Sequence, residues 1–301
     1  MNYTILKLIA SITMLIDHIG AVFGAGHLGY LPYDQTFVLR AIGRTAFPIY
    51  AFTISNGWQH TRDKEKYLER LLLFMVLSQV PFTLSFFSLQ SLHAPQPMPM
   101  IQVSELAIRA LLILALLAIS WFSELLMRPT QLIALGFALF LSQQEIFLGG
   151  VLLNSPNHLN VFYTLGSGAI AFAAIDRIVD NGSLRITPKG ILAVLTAAGI
   201  CYFLCAHSDY GYSGLAIVCA FYLLRNNRHL QAIAGAIWVL YTYPFAPNLI
   251  SFSTFGLLAI LLLLLYNGKK GSMPSWAQRA FYWFYPVHLF LFGIIQILLI
   301  Q

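Results

Sequence analysis

The chain has 301 residues, of which 58% are hydrophobic and 9% charged, with a formal net charge of +6 and a mean hydropathy of +0.74. A soluble domain carries roughly 25% charged residues, so this composition excludes a water-soluble globular protein and fits a single polytopic membrane domain over residues 1–301. The basic balance does not imply a nucleic-acid partner, because membrane proteins gather Lys and Arg in cytoplasmic loops for topological reasons.

A spanning helix needs roughly 20 apolar residues. The apolar runs predict an all-α transmembrane bundle of about eleven helices, at 5–24, 37–58, 67–89, 103–127, 131–151, 160–178, 188–206, 211–225, 229–246, 250–266 and 278–300. The first run lacks a basic stretch ahead of it and a small-residue cleavage site after it, so it reads as a retained helix. Loops after every second helix hold Arg62, Lys64 and Lys66, then Arg128, Arg185, Arg225 with Arg228, and Lys269 with Lys270, while the intervening loops hold none. That asymmetry predicts a cytoplasmic N-terminus and an outer C-terminus. Residues 91–100 form a Pro-rich loop, and Gln143, Gln144 and Glu145 interrupt the fifth run, which reads as broken or re-entrant. Cys201, Cys205 and Cys219 lie in apolar runs without the spacing of a zinc site, so no metal is expected. There is no internal repeat of the kind many transporters carry.

Ionisable groups near a bilayer centre cost about 2.5–3.5 kcal/mol each on insertion scales and are functional candidates by default. Helix 1 carries Lys7 and the adjacent pair Asp17-His18. The step from Lys7 to His18 is about three helical turns, so the two share a face at different depths, Lys7 near the cytoplasm and His18 in the outer half. Helix 2 carries Arg40 and Arg44 at i, i+4. A pairing of either with Asp17 would offset burial and is by itself a sufficient structural reason for them. Near a neutral imidazole they would also stabilise an oxyanion. Asp209 and Tyr210 precede helix 8, where Asp209 serves equally well as a helix cap, and Asn160, Tyr163 and Thr164 open helix 6. In the last helix, Pro286 removes a helical hydrogen bond and would aim Tyr285 and His288 into the bundle. The segment from His60 to Arg70, with Arg62, Lys64 and Lys66, reads as a solvated cytoplasmic loop or as a landing site for donor phosphates.

The stretches KLIASITMLIDHIG, LRAIGRTAFPIYAFTISNGW, HTRDKEKYLERLLLF, LNVFYTLGSG, SDYGYSGL and FYWFYPVHLF together resemble the TraX family, whose namesake acetylates the N-terminus of conjugative pilin. The match runs from residue 3 to about 90 and resumes in patches from 159 to 292, and 91–158 reads as a divergent insertion with about two extra helices. That family is similar in turn to the acyltransferase-3 and heparan-α-glucosaminide N-acetyltransferase groups, which share a basic residue, ten residues and then a catalytic His on the first helix; Lys7 and His18 fit that spacing.

The resemblance implies transfer of an acetyl group from cytoplasmic acetyl-CoA to an amine or hydroxyl at the outer face of a bacterial inner membrane. The acceptor would be a peptide N-terminus or an envelope glycan. His18 would be the general base, Asp17 or an arginine its orienting partner, and Arg40 or Arg44 the oxyanion donor. Lys7, Arg62, Lys64, Lys66 and Arg70 would hold the donor; Tyr285, His288, Asp209, Tyr210, Asn160, Thr164 and Ser55 would line the acceptor side. Two other classes compete: a transporter or flippase using the same buried charges as a substrate pathway, and a non-catalytic membrane partner. A bis-His haem protein is disfavoured because no second His pairs in depth with His18.

Overall fold

The computed structural model describes residues 1–87, 103–148, 151–180, 183–244 and 251–300. The Pro-rich stretch at 91–100, the end of the third predicted helix and the junction at 247–250 lie outside them. Helices form at α1 (Tyr3–Phe23), α2 (Tyr33–Gly43), α3 (Ala46–His60), α4 (Lys64–Leu77), α5 (Gln79–Phe86), α6 (Val103–Phe122) and α7 (Pro129–Leu141). They continue with α8 (Val161–Ile178), α9 (Pro188–Cys205), α10 (Gly211–Leu223), α11 (Arg228–Thr242), α12 (Phe252–Leu264) and α13 (Ser275–Ile300). Six segments are long and apolar enough to cross a membrane: Tyr3–Phe23, Tyr33–His60, Lys64–Phe86, Val161–Ile178, Pro188–Cys205 and Ser275–Leu299. With α2–α3 and α4–α5 each counted as one interrupted span, the described residues form eleven helices, in a multi-pass membrane protein.

The two interruptions have the same cause. Pro48 and Pro81 each sit at the third position of the helix after the break, where the missing N–H is tolerated while the ring crowds the carbonyl four residues back and favours an interruption there. The fourth and fifth predicted helices are corrected more substantially: α6 ends at Phe122 and α7 at Leu141. After α7, the strands β1 (Ile146–Leu148) and β2 (Val151–Asn154) pair antiparallel. Elsewhere local chemistry fixes the starts. Asn2, Asp63, Asn160, Thr187, Asn227 and Ser251 cap α1, α4, α8, α9, α11 and α12 through their side chains, satisfying N–H groups that the first turn leaves open.

The burial pattern is that of a chain solvated by lipid. Leu111, Leu114, Phe122, Leu195, Ile237 and Leu298 are each more than 60% exposed, while Ser55, Gln79, Ser85, Asn154, Asn160 and Thr164 are fully buried. Exposing that much apolar surface to water would cost about 25 cal/mol per Å²; toward hydrocarbon it costs nothing, and helices then associate through packing and interior polar contacts.

The chain divides into two compact units. The first comprises Met1–Gln59, Leu84–Phe86 and Ala216–Gln301, and the second His60–Thr83 and Phe87–Leu215. In the first, α1 packs on α2 and on α13, and α12 on α2 and α11. At one end of it the Met1 ammonium donates to the Leu265 carbonyl at 2.9 Å, and the Tyr3 N–H to that of Lys269. The Arg228 guanidinium bonds the Tyr266 carbonyl there too. In the second unit, Arg128 bridges Asp63, Glu65 and Glu69, Lys64 meets Asp176, and Glu124 meets Arg177 and Lys189. Within each unit, the loops that alternate-loop charge places on one side of the membrane therefore share one end.

Candidate active site

The site in the first unit begins with the contact of α1 and α2. A Cβ on Gly43 would overlap the Asp17 side chain, and one on Gly20 would lie 2.9 Å from Leu39 Cβ. Two glycines thus let the backbones approach closely enough for short charge-assisted bonds. Arg40 Nη1 donates to Asp17 Oδ2 at 2.6 Å, and Arg44 Nη2 donates to Asp17 Oδ1. Arg44 caps α2 at the break, with its N–H on the Ala41 and Ile42 carbonyls and its Nε on the Arg40 carbonyl at 3.0 Å. The Tyr243 and Phe252 rings lie 5.8 and 5.4 Å from its guanidinium carbon. Asp17 and Arg44 side chains are 10% and 11% exposed, against 32% for Arg40. Two guanidinium groups and one carboxylate leave one net positive charge, within electrostatic reach of the next residue, His18.

His18 is buried among Phe86, Tyr285 and His288, with ring centroids at 5.5, 5.7 and 5.0 Å. Its Nδ1 lies 2.7 Å from His288 Nε2, and His288 Nδ1 lies 2.5 Å from the Phe284 carbonyl oxygen. This overturns two expectations. A second histidine does pair with His18, and the group that meets the His18 ring is His288, because Asp17 spends both carboxylate oxygens on the arginines. Helix α13 is helical on both sides of Pro286. The Ser85 hydroxyl donates to the Leu289 carbonyl, and a Cβ at Gly293 would come 2.9 Å from Leu84 Cβ, so α13 carries His288 against the end of α5.

Toward the other end of α1, the Lys7 ammonium lies 4.8 Å from the Tyr3 ring centre and 5.9 Å from that of Phe281. Between Lys7 and His18, Ser11 Oγ and Tyr50 OH share a hydrogen bond of 2.8 Å. Ser55 is fully buried, and Gln59 Nε2 donates to its hydroxyl at 3.4 Å.

The other predicted residues lie in the second unit. Asn160 and Thr164 are committed to structure. Asn160 Nδ2 donates to the Met75 carbonyl and to Gln79 Oε1, both at 2.9 Å, and Thr164 Oγ1 meets Ser208 Oγ at 2.8 Å. Asp209 and Tyr210 line a cleft of about 350 Å³ together with Phe82, Phe87, His158 and His207. Tyr210 and Gly211 take positive φ, 71° and 51°, turning the chain into α10. His158 stacks on Phe87 at 3.9 Å; burial and the nearby His207 hold its pKa below the ordinary 6.5. Sequence reasoning missed His158, His207 and Gln79, although the histidines directly flank the quoted LNVFYTLGSG and SDYGYSGL stretches. Of the candidate donor contacts, Lys64 and Lys66 have carboxylate partners, Asp176 at 2.6 Å and Asp63 at 3.5 Å, and Arg70 lies over the Tyr67 ring. Among the described residues, no group of three or more His, Cys, Asp or Glu is placed to hold a metal ion.

No solved structure matches the chain. It is 28% identical over 287 residues to a probable fimbrial assembly protein, FimC of serogroup H1, from Dichelobacter nodosus, a match covering 95% of this chain and 92% of that protein. The sequence model of the TraX protein family matches residues 2–151 and 146–296. With nearly its whole length matched, the chain belongs to the TraX family.

Proposed function

We propose that the protein is an acetyltransferase of the bacterial cytoplasmic membrane, using acetyl-CoA as donor and His18 as general base. The observation that carries this reading is a buried imidazole bonded at one ring nitrogen to a second imidazole, beside an arginine pair that keeps a net positive charge. That arrangement suits acyl transfer. As an acceptor amine or hydroxyl attacks the thioester carbonyl, its proton passes to His18. The oxyanion that forms is stabilised by Arg44 and Arg40. Its collapse expels the CoA thiolate, which takes the proton back from His18. Lys7 is a candidate partner for donor phosphate from the cytoplasmic side, and so are Arg62, Lys64, Lys66 and Arg70 of the basic loop. The fimbrial assembly relative favours a peptide of a pilus or fimbria as acceptor over an envelope glycan.

The test is purified protein in detergent with labelled acetyl-CoA, comparing wild type and His18→Ala for donor binding and slow thioester hydrolysis. Wild type is expected to bind and hydrolyse the donor, and His18→Ala to bind without hydrolysis. Absence of binding by either at about millimolar donor, a concentration at which even a contact worth only 4 kcal/mol registers, contradicts the reading and favours the transporter alternative.

A further inference from the structure

We propose that His288 is a positioning residue that fixes the tautomer of His18, leaving His18 Nε2 as the basic nitrogen. The inference rests on the general-base reading above and goes further by naming the nitrogen that works and the group that selects it.

A carbonyl oxygen only accepts hydrogen bonds. The 2.5 Å contact between His288 Nδ1 and the Phe284 oxygen therefore places a proton on His288 Nδ1. In a neutral imidazole only one nitrogen carries a proton, so His288 Nε2 bears a lone pair and is an acceptor. His18 Nδ1, 2.7 Å away, must donate to it, and the remaining lone pair of His18 sits on Nε2. The chain of donation thus runs from His18 Nδ1 to His288 Nε2, then from His288 Nδ1 to a helix carbonyl. It has one direction because its last acceptor cannot reverse its role.

The helix supplies that fixed end. Phe284 and His288 are one turn apart on α13, so the imidazole reaches back to the carbonyl of its own helix. His288 is also gripped by the Phe284, Tyr285 and Phe292 rings at 4.9, 5.9 and 5.7 Å. The His18 and His288 rings lie within 20° of parallel, so the nitrogen–nitrogen contact lies close to the planes of both imidazoles. Asp17 cannot take over this task, since both its oxygens hold arginines. The arrangement does for His18 what an orienting carboxylate does in other base-assisted sites, without adding a negative charge to a buried pocket.

The full-length protein, labelled with ¹⁵N-histidine in lipid nanodiscs, tests this through the imidazole ¹⁵N shifts, which distinguish the Nδ1–H from the Nε2–H tautomer. Signals are assigned from His18→Gln and His288→Gln. In wild type, His18 is expected as Nδ1–H. His288→Gln offers a carbonyl in place of Nε2, so it should keep that tautomer and hold kcat for acetyl-CoA hydrolysis within about tenfold. His288→Leu has no acceptor, so it should lose the tautomer and about 10²-fold or more in kcat, the order of a positioned base, with KM for acetyl-CoA within about twofold. His18 protonated at Nε2 in wild type overturns the proposal. So does His288→Leu with wild-type tautomer and kcat, or His288→Gln no better than Leu at equal thermal stability. Should wild type show the Nδ1–H tautomer yet neither bind nor hydrolyse acetyl-CoA, the tautomer assignment is upheld and the acetyltransferase reading is what fails.

Discussion

Replacing Asp17 by Asn removes the one carboxylate that holds two arginines, and the structure ranks the consequences. Breaking a buried ion pair from one side costs about 3–5 kcal/mol, because the surviving charge is left without compensation. Arg44, 11% exposed, carries most of that penalty. Arg40, 32% exposed, is partly screened, and its share falls toward the 1 kcal/mol or less of a surface pair. Asn also keeps an oxygen that still accepts from a guanidinium, and helices unfolded within lipid find other polar partners, so the lower end applies: about 3 kcal/mol for Asp17→Asn, about 2–3 for Arg44→Gln and about 1 for Arg40→Gln. The assay is unfolding in mixed micelles followed by far-UV circular dichroism, which reads the loss of helix in either unit. If Asp17→Asn shifts stability by less than about 0.5 kcal/mol, or Arg40→Gln costs more than Arg44→Gln, a buried Asp17–Arg44 pair is not what holds α1 to α2.

Gly43→Ala drives a Cβ into the Asp17 side chain, with no flexible end to give way. It should cost about 1–3 kcal/mol, the usual range for overpacking, whereas Gly199→Ala, whose Cβ would meet only Leu116 at 3.8 Å, should be neutral or stabilising in the same assay. Gln79→Ala strips a buried amide of its contacts to the Asn160 N–H, Asn160 Nδ2 and the His158 carbonyl. Each orphaned group costs about 1–3 kcal/mol, so this variant should unfold well before wild type while donor binding per folded molecule is unchanged. Asp63 accepts from the Lys66 N–H at the start of α4 and faces Arg128, and these hold its carboxyl below the ordinary 3.8. A depressed folded pKa means stability present above the unfolded value and lost as pH falls through the folded one. The difference between wild type and Asp63→Ala should therefore be constant above about pH 5 and shrink below about pH 4.

Much of the architecture was legible because lipid imposes a length and a polarity on every span. The count of eleven followed from apolar runs, and the basic loops that alternate along the chain do gather at common ends within each unit. The details that escaped are those in which short-range pattern is ambiguous. Pro48 and Pro81 stand inside apolar runs of spanning length, so composition alone reads α2–α3 and α4–α5 as unbroken. The hairpin of β1 and β2 is an apolar stretch too short for periodicity to separate from the end of a helix. Asp17, Arg40 and Arg44 were readable as a group because α1 and α2 are neighbours in sequence and an isolated charge in a membrane demands a partner. The His18–His288 contact bridges 270 positions; nothing local to either residue announces it, and only the assembled bundle shows why the sequence places a histidine four residues after Phe284. Gln79 was hidden for the same reason, since its partners come from 79–81 residues downstream.

The central proposal is that the protein transfers acetyl groups from acetyl-CoA to an acceptor with His18 as general base. Membranes containing wild type or His18→Ala at matched amounts, with inner faces accessible and supplied with acetyl-labelled CoA, would report it directly through label recovered in protein and glycan fractions. The account predicts incorporation that depends on His18 and falls by about 10²-fold or more in the variant, the contribution of a positioned general base. Equal incorporation by both proteins, or none above empty membranes with wild type, would contradict it.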